Sequence, residues 1–383
     1  MKFLFWFSLF CIIHTFILYP ISLKIISLFY KNKKVINRDE KYEPTVSLLV
    51  VAHNEEKVIK NKLENLMNLK YDSNKLEIIV SSDNSDDKTN SIVREFIENK
   101  NNKFSIKLYE VLERKGKTNA QNEAVKICNG EILVLTDANS MLDPNSVNEL
   151  VKTLKDKNIG YVSGKLEYIN SFENMTSNSE NSYWNYDLMM RKYESLICSI
   201  TAGNGALYAV RKSEYIDIDP IECHDSMYPI IFNLNNKKSK YNKNAIAYEK
   251  AGEITSDEFL RKVRMFRGNI KGTFSNFEKY NPFKVGWFSY FYLSHRAMRN
   301  LLWISHIVVF ISNFMLINQV FYRNIFFIQV IFYILAILGI VIKNKIFYVP
   351  YYYSMTIFAQ FKGAINELSG KSKATWEKAE TTR

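Results

Sequence analysis

The 383-residue chain predicts an α/β domain on a mostly parallel sheet, carried between membrane-crossing helices. Three patterns predict it. Uncharged apolar runs stand at both ends, strand-like runs alternate with amphipathic helical ones in the middle, and acidic clusters sit where those strands end. With 47% hydrophobic residues the chain has enough apolar surface for a substantial core, which excludes a disulfide-stapled miniprotein or a disordered tail.

The N-terminal element comes first. Phe3 to Leu23 carries no charge, with His14 taken as neutral, and is long enough to cross a bilayer. Its apolar run is longer than that of a signal peptide and shows no obvious small-residue cleavage site. Lys31, Lys33, Lys34 and Arg38 follow without an intervening acid, so this flank is expected on the cytoplasmic side. The division read here is a helix over 1–30 and a basic linker over 31–44.

The central domain is expected over 45–282. Thr45–Ala52 (TVSLLVVA), Leu76–Ser81, Phe104–Val111 and Glu131–Thr136 are strand runs. Amphipathic stretches at Glu55–Leu69, Asp87–Asn99 and Asn119–Cys128 separate them, which makes βαβ units. Asp143 and Pro144 are expected as cap and first residue of the next helix. A later helix is expected from Ser256, with Phe259, Val263, Phe266 and Ile270 on one face and Arg261, Arg264 and Gly268 on the other.

Beyond it, 283–299 mixes Trp287, Phe288, Tyr290, Phe291 and Tyr292 with Lys284, Arg296 and Arg299, the pattern of a helix lying in the interface. A membrane region over 300–366 follows. Asn300–Tyr322 and Asn324–Ile342 form an expected hairpin that turns at Arg323 and returns to Lys343 and Lys345. Ile346–Phe361, interrupted by Pro350, fits either a third crossing or an interfacial segment. The basic tail, 367–383, is expected inside. Four scattered cysteines with no C-x-x-C pair match a reducing compartment.

Ligands of such sheets bind beyond the carboxyl ends of the strands. Those ends carry His53 to Glu56, Asp83 to Asp87 and Asp137 to Asn139. An acidic loop alone reads as a solvated cap, and Asp86 or Asp87 suits that role; three converging on one rim read as a site. Asp137 and Asn139, two apart on an extended segment, point the same way and can both approach one cation. Arg261 and Arg264 lie at i, i+3 spacing and can form a fork for phosphate. Cys223-His224-Asp225 lacks the further ligands a zinc site needs. His224 is open between tuning Asp225, contacting phosphate and simple packing. His14 and His306, inside apolar runs, are expected as neutral, hydrogen-bonded packing residues.

In this order, six segments resemble the membrane-bound bacterial members of glycosyltransferase family 2: Val46 to Glu56, Ser82 to Thr89, Lys115-Gly-Lys117 with Ala120 and Asn122, Thr136 to Asn139, Gly203 to Arg211, and His224-Asp225. The resemblance spans about Val46 to Gly268. It implies a GT-A fold, a nucleotide-diphosphate sugar, a divalent Mg²⁺ or Mn²⁺ and inverting transfer. By residue, it implies Asp225 as catalytic base, Asp137 and Asn139 at the metal, and Glu55, Asp83, Lys115, Asp137, Arg261 and Arg264 at the donor. The family more often has a carboxylate where this chain has Asn139, and an acid where it has His224. Processive synthases carry Gln-x-x-Arg-Trp where this chain has Arg261, Arg264 and Met265; the arginine matches, the glutamine and tryptophan do not.

The expected activity is therefore a hexosyl transfer from a UDP-sugar to a lipid-linked or growing polysaccharide acceptor, by an integral protein of the bacterial inner membrane with its catalytic domain cytoplasmic. The alternative is a membrane-anchored, non-catalytic nucleotide- or ligand-binding protein, against which the retained Asp83, Asp137, Asp225 and Arg264 speak. The formal charge of +12 admits an anionic partner. Much of it lies in membrane flanks and loops without a recognition motif, so nucleic acid is not expected as partner.

Overall fold

The computed structural model describes residues 1–30, 42–99, 101–170, 174–342, 344–375 and 382. Most of the expected basic linker, together with Lys343, Lys378 and Arg383, lies outside the described residues.

The central domain is one eight-stranded sheet. Its strands are β1 (Val46–Ala52), β2 (Leu76–Ser82), β3 (Ser105–Glu110), β4 (Ile132–Asp137), β5 (Met141–Leu142), β6 (Ile159–Tyr168), β7 (Leu207–Arg211) and β8 (Lys238–Glu249), in the order β3-β2-β1-β4-β7-β6-β8-β5. β3, β2, β1 and β4 are mutually parallel, with Val50 opposite Val80 and Thr136. β7 enters antiparallel between β4 and β6, while β6 and β8 run parallel. All seven residues of β1 are buried. Val46, Leu48, Val50 and Ala52 face one apolar cluster and Leu49 faces the other, so helices must cover both sides of the sheet.

α1 (Lys2–Ile13) and α2 (Tyr19–Leu28), joined by a π-helical turn at His14–Leu18, make one 27-residue apolar rod. The domain helices are α3 (Ile59–Met67), α4 (Thr89–Glu98), α5 (Lys117–Val125), α6 (Ser146–Leu154), α7 (Met175–Ile197), α8 (His224–Leu234) and α9 (Thr255–Met265). Two starts differ from expectation. α6 begins after Asn145, because Asp143 Oδ1 accepts the Asn145 N–H at 2.9 Å and closes a turn ahead of the helix. α9 begins at Thr255, one residue before the expected cap Ser256. It also stops early: Gly268 has φ +74°, so Ile270 belongs to a separate helix, Asn269–Phe274, and the single long face expected here is broken.

The segment expected as one interfacial helix is a series of short helices, Pro282–Val285, Trp287–Phe291 and Met298–Asn300, with a π-helical turn at Tyr292–Ala297. The part from Trp287 to Asn300 bends by 61° into Leu302–Met315. The hairpin turns at 316–319, not at Arg323, which lies inside the returning helix Val320–Leu338. The polar Asn318-Gln319 pair, with extended backbone at Gln319, makes the turn instead. Lys345–Leu368 is a single helix through Pro350.

Among the described residues, Lys2–Leu28 and Val320–Leu338 are long and apolar enough to cross a membrane, and the bent pair makes a third span if counted as one. Val320–Leu338 exposes Phe327, Ile328, Ile331, Ile334 and Ile337, each at least half exposed, which suits a hydrocarbon environment and not water. His14 and His306 are packed by hydroxyl groups, Ser294 Oγ at 3.0 Å and Tyr353 at 2.8 Å respectively.

Candidate active site

The carboxyl ends of β1, β2 and β4 open into a cleft of about 500 Å³. The first two loops are tied to each other. His53 Nδ1 meets the Asp83 carbonyl at 2.8 Å, Asn54 N–H donates to Ser85 Oγ at 3.1 Å, and Glu55 N–H donates to Thr89 Oγ1 at 2.7 Å. Asn54 and Asn84 both take positive φ, a conformation asparagine tolerates best after glycine. The cap position of α4 is Lys88, and Asp87 just before it closes a local turn, its Oδ1 accepting the Thr89 N–H at 2.8 Å. Glu55, 6% exposed, lines the cleft from this braced pair of loops.

Asp83, 3% exposed, also lines the cleft, and its carboxylate accepts two backbone N–H groups, Lys115 at 3.1 Å and Gly116 at 2.9 Å. It therefore fixes the turn before α5. Gly116 has φ +94° and a Cβ there would lie 2.5 Å from the Ala374 carbonyl oxygen, so this turn needs glycine. The reversal at Gly116 separates the two lysines. The Lys115 side chain points outward and pairs with exposed Glu113 at 2.9 Å, contrary to the donor contact expected of it. Lys117 points inward, pairs with Asp137 and donates to the Gly205 carbonyl at 3.2 Å. Burial pulls the Lys117 ammonium down, but Asp137 and Asp225 outweigh it and leave the group above its ordinary value, charged at neutral pH. One signal for Lys117 was present in the sequence: it shares the i, i+3, i+7 face of α5 with buried Ala120 and Ala124.

Asp137, the last residue of β4, and Asn139, in the loop after it, line the cleft. Beneath that loop lies Lys62, fully buried, whose ammonium donates to Thr136 Oγ1 at 3.1 Å and to the Ser140 carbonyl. Burial pushes it down to about 7, against the pull of Asp137 and Glu249. Sequence reasoning missed Lys62, which is indistinguishable there from a solvated helix lysine. No cluster of three or more His, Cys, Asp or Glu suited to a metal occurs among the described residues. One carboxylate and one amide oxygen nevertheless fit a hard dication of the magnesium kind, which takes few protein ligands and completes its shell with phosphate and water oxygens.

Opposite stands Asp225, in the first turn of α8, its carbonyl accepting the Gly203 N–H at 2.7 Å. Asn204, 5% exposed, locks the same loop by donating to the Gly164 carbonyl at 2.7 Å and accepting from Leu207 N–H at 3.1 Å. His224 is packed, with Gln121 Oε1 at 2.9 Å from Nδ1 and the Tyr215 hydroxyl at 2.8 Å from Nε2. Burial, aided by Lys117, pushes it down to about 3, so it is neutral, although it borders the cleft.

Arg261 and Arg264 both line the cleft. Arg261 is already engaged: its Nη2 donates to Glu180 at 2.5 Å and its Nε to Glu258 at 2.8 Å. Lys262 closes the square, 2.9 Å from Glu180 and 3.1 Å from Glu258. The fork expected of the two arginines is thus not formed, because the buried acids hold Arg261 to α7. The structure therefore gathers Glu55, Asp83, Asp137, Asn139, Asp225, Arg261 and Arg264 around one cleft, adds Lys117, and leaves the Lys115 side chain outside it.

Residues 47–216 match the sequence profile described as glycosyl transferase family 2. A probable glycosyltransferase of Bacillus subtilis, YdaM, is 39% identical over 129 residues, 33% of this chain and 31% of that protein. The match thus spans about a third of that relative's length. The poly-beta-1,6-N-acetyl-D-glucosamine synthase of Staphylococcus epidermidis is 23% identical over 312 residues, 77% of this chain and 74% of that one. Among solved structures, the mannosyltransferase PcManGT from Pyrobaculum calidifontis, in complex with GDP-Man and Mn²⁺, superposes with a TM-score of 0.72 over 96% of this chain and 99% of that one, at 19% identity. That likeness concerns the fold, and it extends to the helices outside the sheet domain. Sheet order, braced strand-end loops and sequence profile agree: residues 47–216 are a glycosyl transferase family 2 domain, in a chain with a GT-A fold.

Proposed function

We propose that the protein transfers a hexosyl group, with inversion, from a UDP-sugar to a lipid-linked or growing polysaccharide acceptor on the cytoplasmic face of the bacterial inner membrane. The observation that carries this reading is the single cleft in which Asp83, Lys117, Asp137, Asn139 and Asp225 meet beside helices suited to a bilayer. In this reading 45–282 is the catalytic domain, 1–30 and 300–366 are its anchors, 283–299 lies at the interface, and the 31–44 linker and 367–383 tail are cytoplasmic.

Glu55 and Asp83 face the nucleoside end, and Lys117 and Arg264 face the diphosphate. Asp225 takes the proton of the acceptor hydroxyl as its oxygen bonds to the anomeric carbon from the far side. The bond from that carbon to the phosphate oxygen breaks, and the nucleoside diphosphate leaves with the electron pair. A divalent cation held by Asp137 and Asn139 would supply Lewis-acid stabilisation of the departing diphosphate. Lys117, kept charged between two carboxylates, adds a fixed positive group at the same place. The Staphylococcus synthase and the GDP-Man complex support a nucleotide-sugar donor and a saccharide product in general terms.

Purified protein is expected to consume a UDP-sugar in preference to GDP-mannose, to stop with EDTA and to resume with Mn²⁺ or Mg²⁺. Asp225→Asn is expected to keep nucleotide binding and lose at least ~100-fold in turnover. Full turnover in that variant removes Asp225 from the mechanism, and preference for GDP-mannose overturns the donor assignment.

A further inference from the structure

Part of the cleft wall is built from three arginines, Arg191 and Arg299 buried and Arg296 half-buried. Arg191 (3% exposed) and Arg299 (7% exposed) hold Asp187 between them, with Arg191 Nε at 2.5 Å and Arg299 Nη1 at 2.8 Å. His295 bridges Asp187 at 3.0 Å and Glu194 at 2.6 Å, and Arg296 lies against the same two acids. Arg191, Arg296 and Arg299 all line the cleft. Four of their donor nitrogens, Arg191 Nη1, Arg296 Nε and Nη2, and Arg299 Nη2, are buried without a hydrogen-bond partner. Within this cluster three guanidinium groups face two carboxylates, an excess of one positive charge before His295 is counted. Buried, uncompensated charge with unsatisfied donors is costly, and an anion removes the cost. Guanidinium donors brought to one cleft by α7 and by the 292–300 segment match a phosphate in charge and hydrogen-bonding chemistry.

Beside this cluster lies a second cavity of about 660 Å³ between α7, the N-terminal rod and the helices Leu302–Met315 and Lys345–Leu368. Its walls include Phe16, Leu302, Val349 and Ile357, and it shares Tyr183, Arg299, Thr356 and Gln360 with the cleft. It is therefore a largely apolar chamber that meets the cleft at Arg299. Its size and lining suit a hydrocarbon chain.

We propose that these two features form the acceptor subsite for a phosphate-bearing lipid, with the phosphate on Arg191, Arg296 and Arg299 and the chain in the adjoining cavity. The accepting sugar, attached through that phosphate, then reaches back toward Asp225. This rests on the transferase reading and narrows its acceptor to the anionic, lipid-linked class.

The test uses the full chain in detergent, with farnesyl phosphate, farnesol and inorganic phosphate as probes, titrated with and without saturating UDP. Farnesyl phosphate is expected to bind at least ten-fold more tightly than either farnesol or inorganic phosphate, and UDP is expected not to displace it. Arg296→Gln and Arg299→Gln are each expected to weaken it at least ten-fold, with Arg296→Lys weakening it less. The thermal shift produced by UDP reports whether each variant folds. Should both glutamine variants fail that check, Ile357→Trp, which narrows the chamber, carries the test: it is expected to weaken farnesyl phosphate and leave inorganic phosphate unchanged. Equal binding of farnesol, equal binding of inorganic phosphate, displacement by UDP, or wild-type affinity in the folded variants overturns the proposal. A wild-type protein that binds farnesyl phosphate as expected but shows no response to UDP defeats the transferase reading and not the lipid site.

Discussion

Replacing Gly203 by alanine tests how the Gly203–Arg211 segment positions Asp225. A Cβ at 203 would lie 1.8 Å from the Tyr161 hydroxyl oxygen and 2.7 Å from its Cζ. Ordinary contact needs more than about 3.4 Å, so either the ring or the loop must move by over ~1 Å. The ring has nowhere to go: Tyr161 is fully buried, with Tyr208 and Tyr228 at centroid distances of 5.6 and 6.0 Å. Overpacking of this kind costs about 1–3 kcal/mol. If the loop yields instead, the 2.7 Å hydrogen bond from Gly203 N–H to the Asp225 carbonyl is lost, about 1 kcal/mol, and Asp225 shifts. A displacement near 1 Å at a reacting group costs on the order of 100-fold in rate. Gly203→Ala is therefore expected to lower thermal stability, sugar transfer or both. Tyr161→Phe removes the nearest atom, so the double variant should recover about 1 kcal/mol relative to additivity. Thermal unfolding in detergent and initial transfer rates give both readouts. Wild-type stability and kcat/KM in Gly203→Ala, or strict additivity with Tyr161→Phe, would refute the reasoning.

Three further outcomes follow from the same geometry. Lys117→Met is expected to weaken donor use at least ~10-fold, whereas Lys115→Met, whose side chain is exposed and pairs with exposed Glu113, should change kcat/KM less than about two-fold. Lys62, pushed down to about 7 by burial, releases its proton in the folded state long before the unfolded lysine does near ~10.4. The unfolded state thus binds more protons from about pH 7 to 10, and this group makes stability rise across that window by up to ~1.4 kcal/mol per pH unit. Lys62→Met should flatten that slope in unfolding midpoints measured against pH. Glu180→Gln strips one acid from the buried square with Arg261 and Lys262, and should cost about 3–5 kcal/mol in denaturation experiments; a near-neutral result would mean the square is hydrated.

Much of the architecture was legible because local chemistry dictates it. β1, β2 and β4 are runs of apolar β-formers whose both faces must be covered, so a parallel sheet with helices on each side follows from their composition. The positions at the strand ends were equally readable: Glu55, Asp83 and Asp137 are short acids immediately after buried strands, where the chain has to turn and where helix starts create local positive potential. Element boundaries were less so. Arg323 looked like a turn because a charge is costly in hydrocarbon, yet the turn formed at 316–319, where polar side chains and an extended backbone at Gln319 release the helix.

Side-chain direction and partnership depended on contacts between distant segments. Lys115 and Lys117 are equal in composition and two residues apart, and only the positive φ at Gly116, held by Asp83, sends one to solvent and the other to Asp137. Arg261 and Arg264 share a helix face, but Glu180, 81 residues before Arg261, claims it. Neither Lys62 nor the arginines at 191, 296 and 299 stand out along the chain, since a charged residue on an amphipathic stretch ordinarily points to water. Their burial is a property of the assembled molecule: the sheet, α7 and the membrane-facing helices close over them, and an ammonium or guanidinium with a short list of partners becomes chemically consequential only once that solvent is gone.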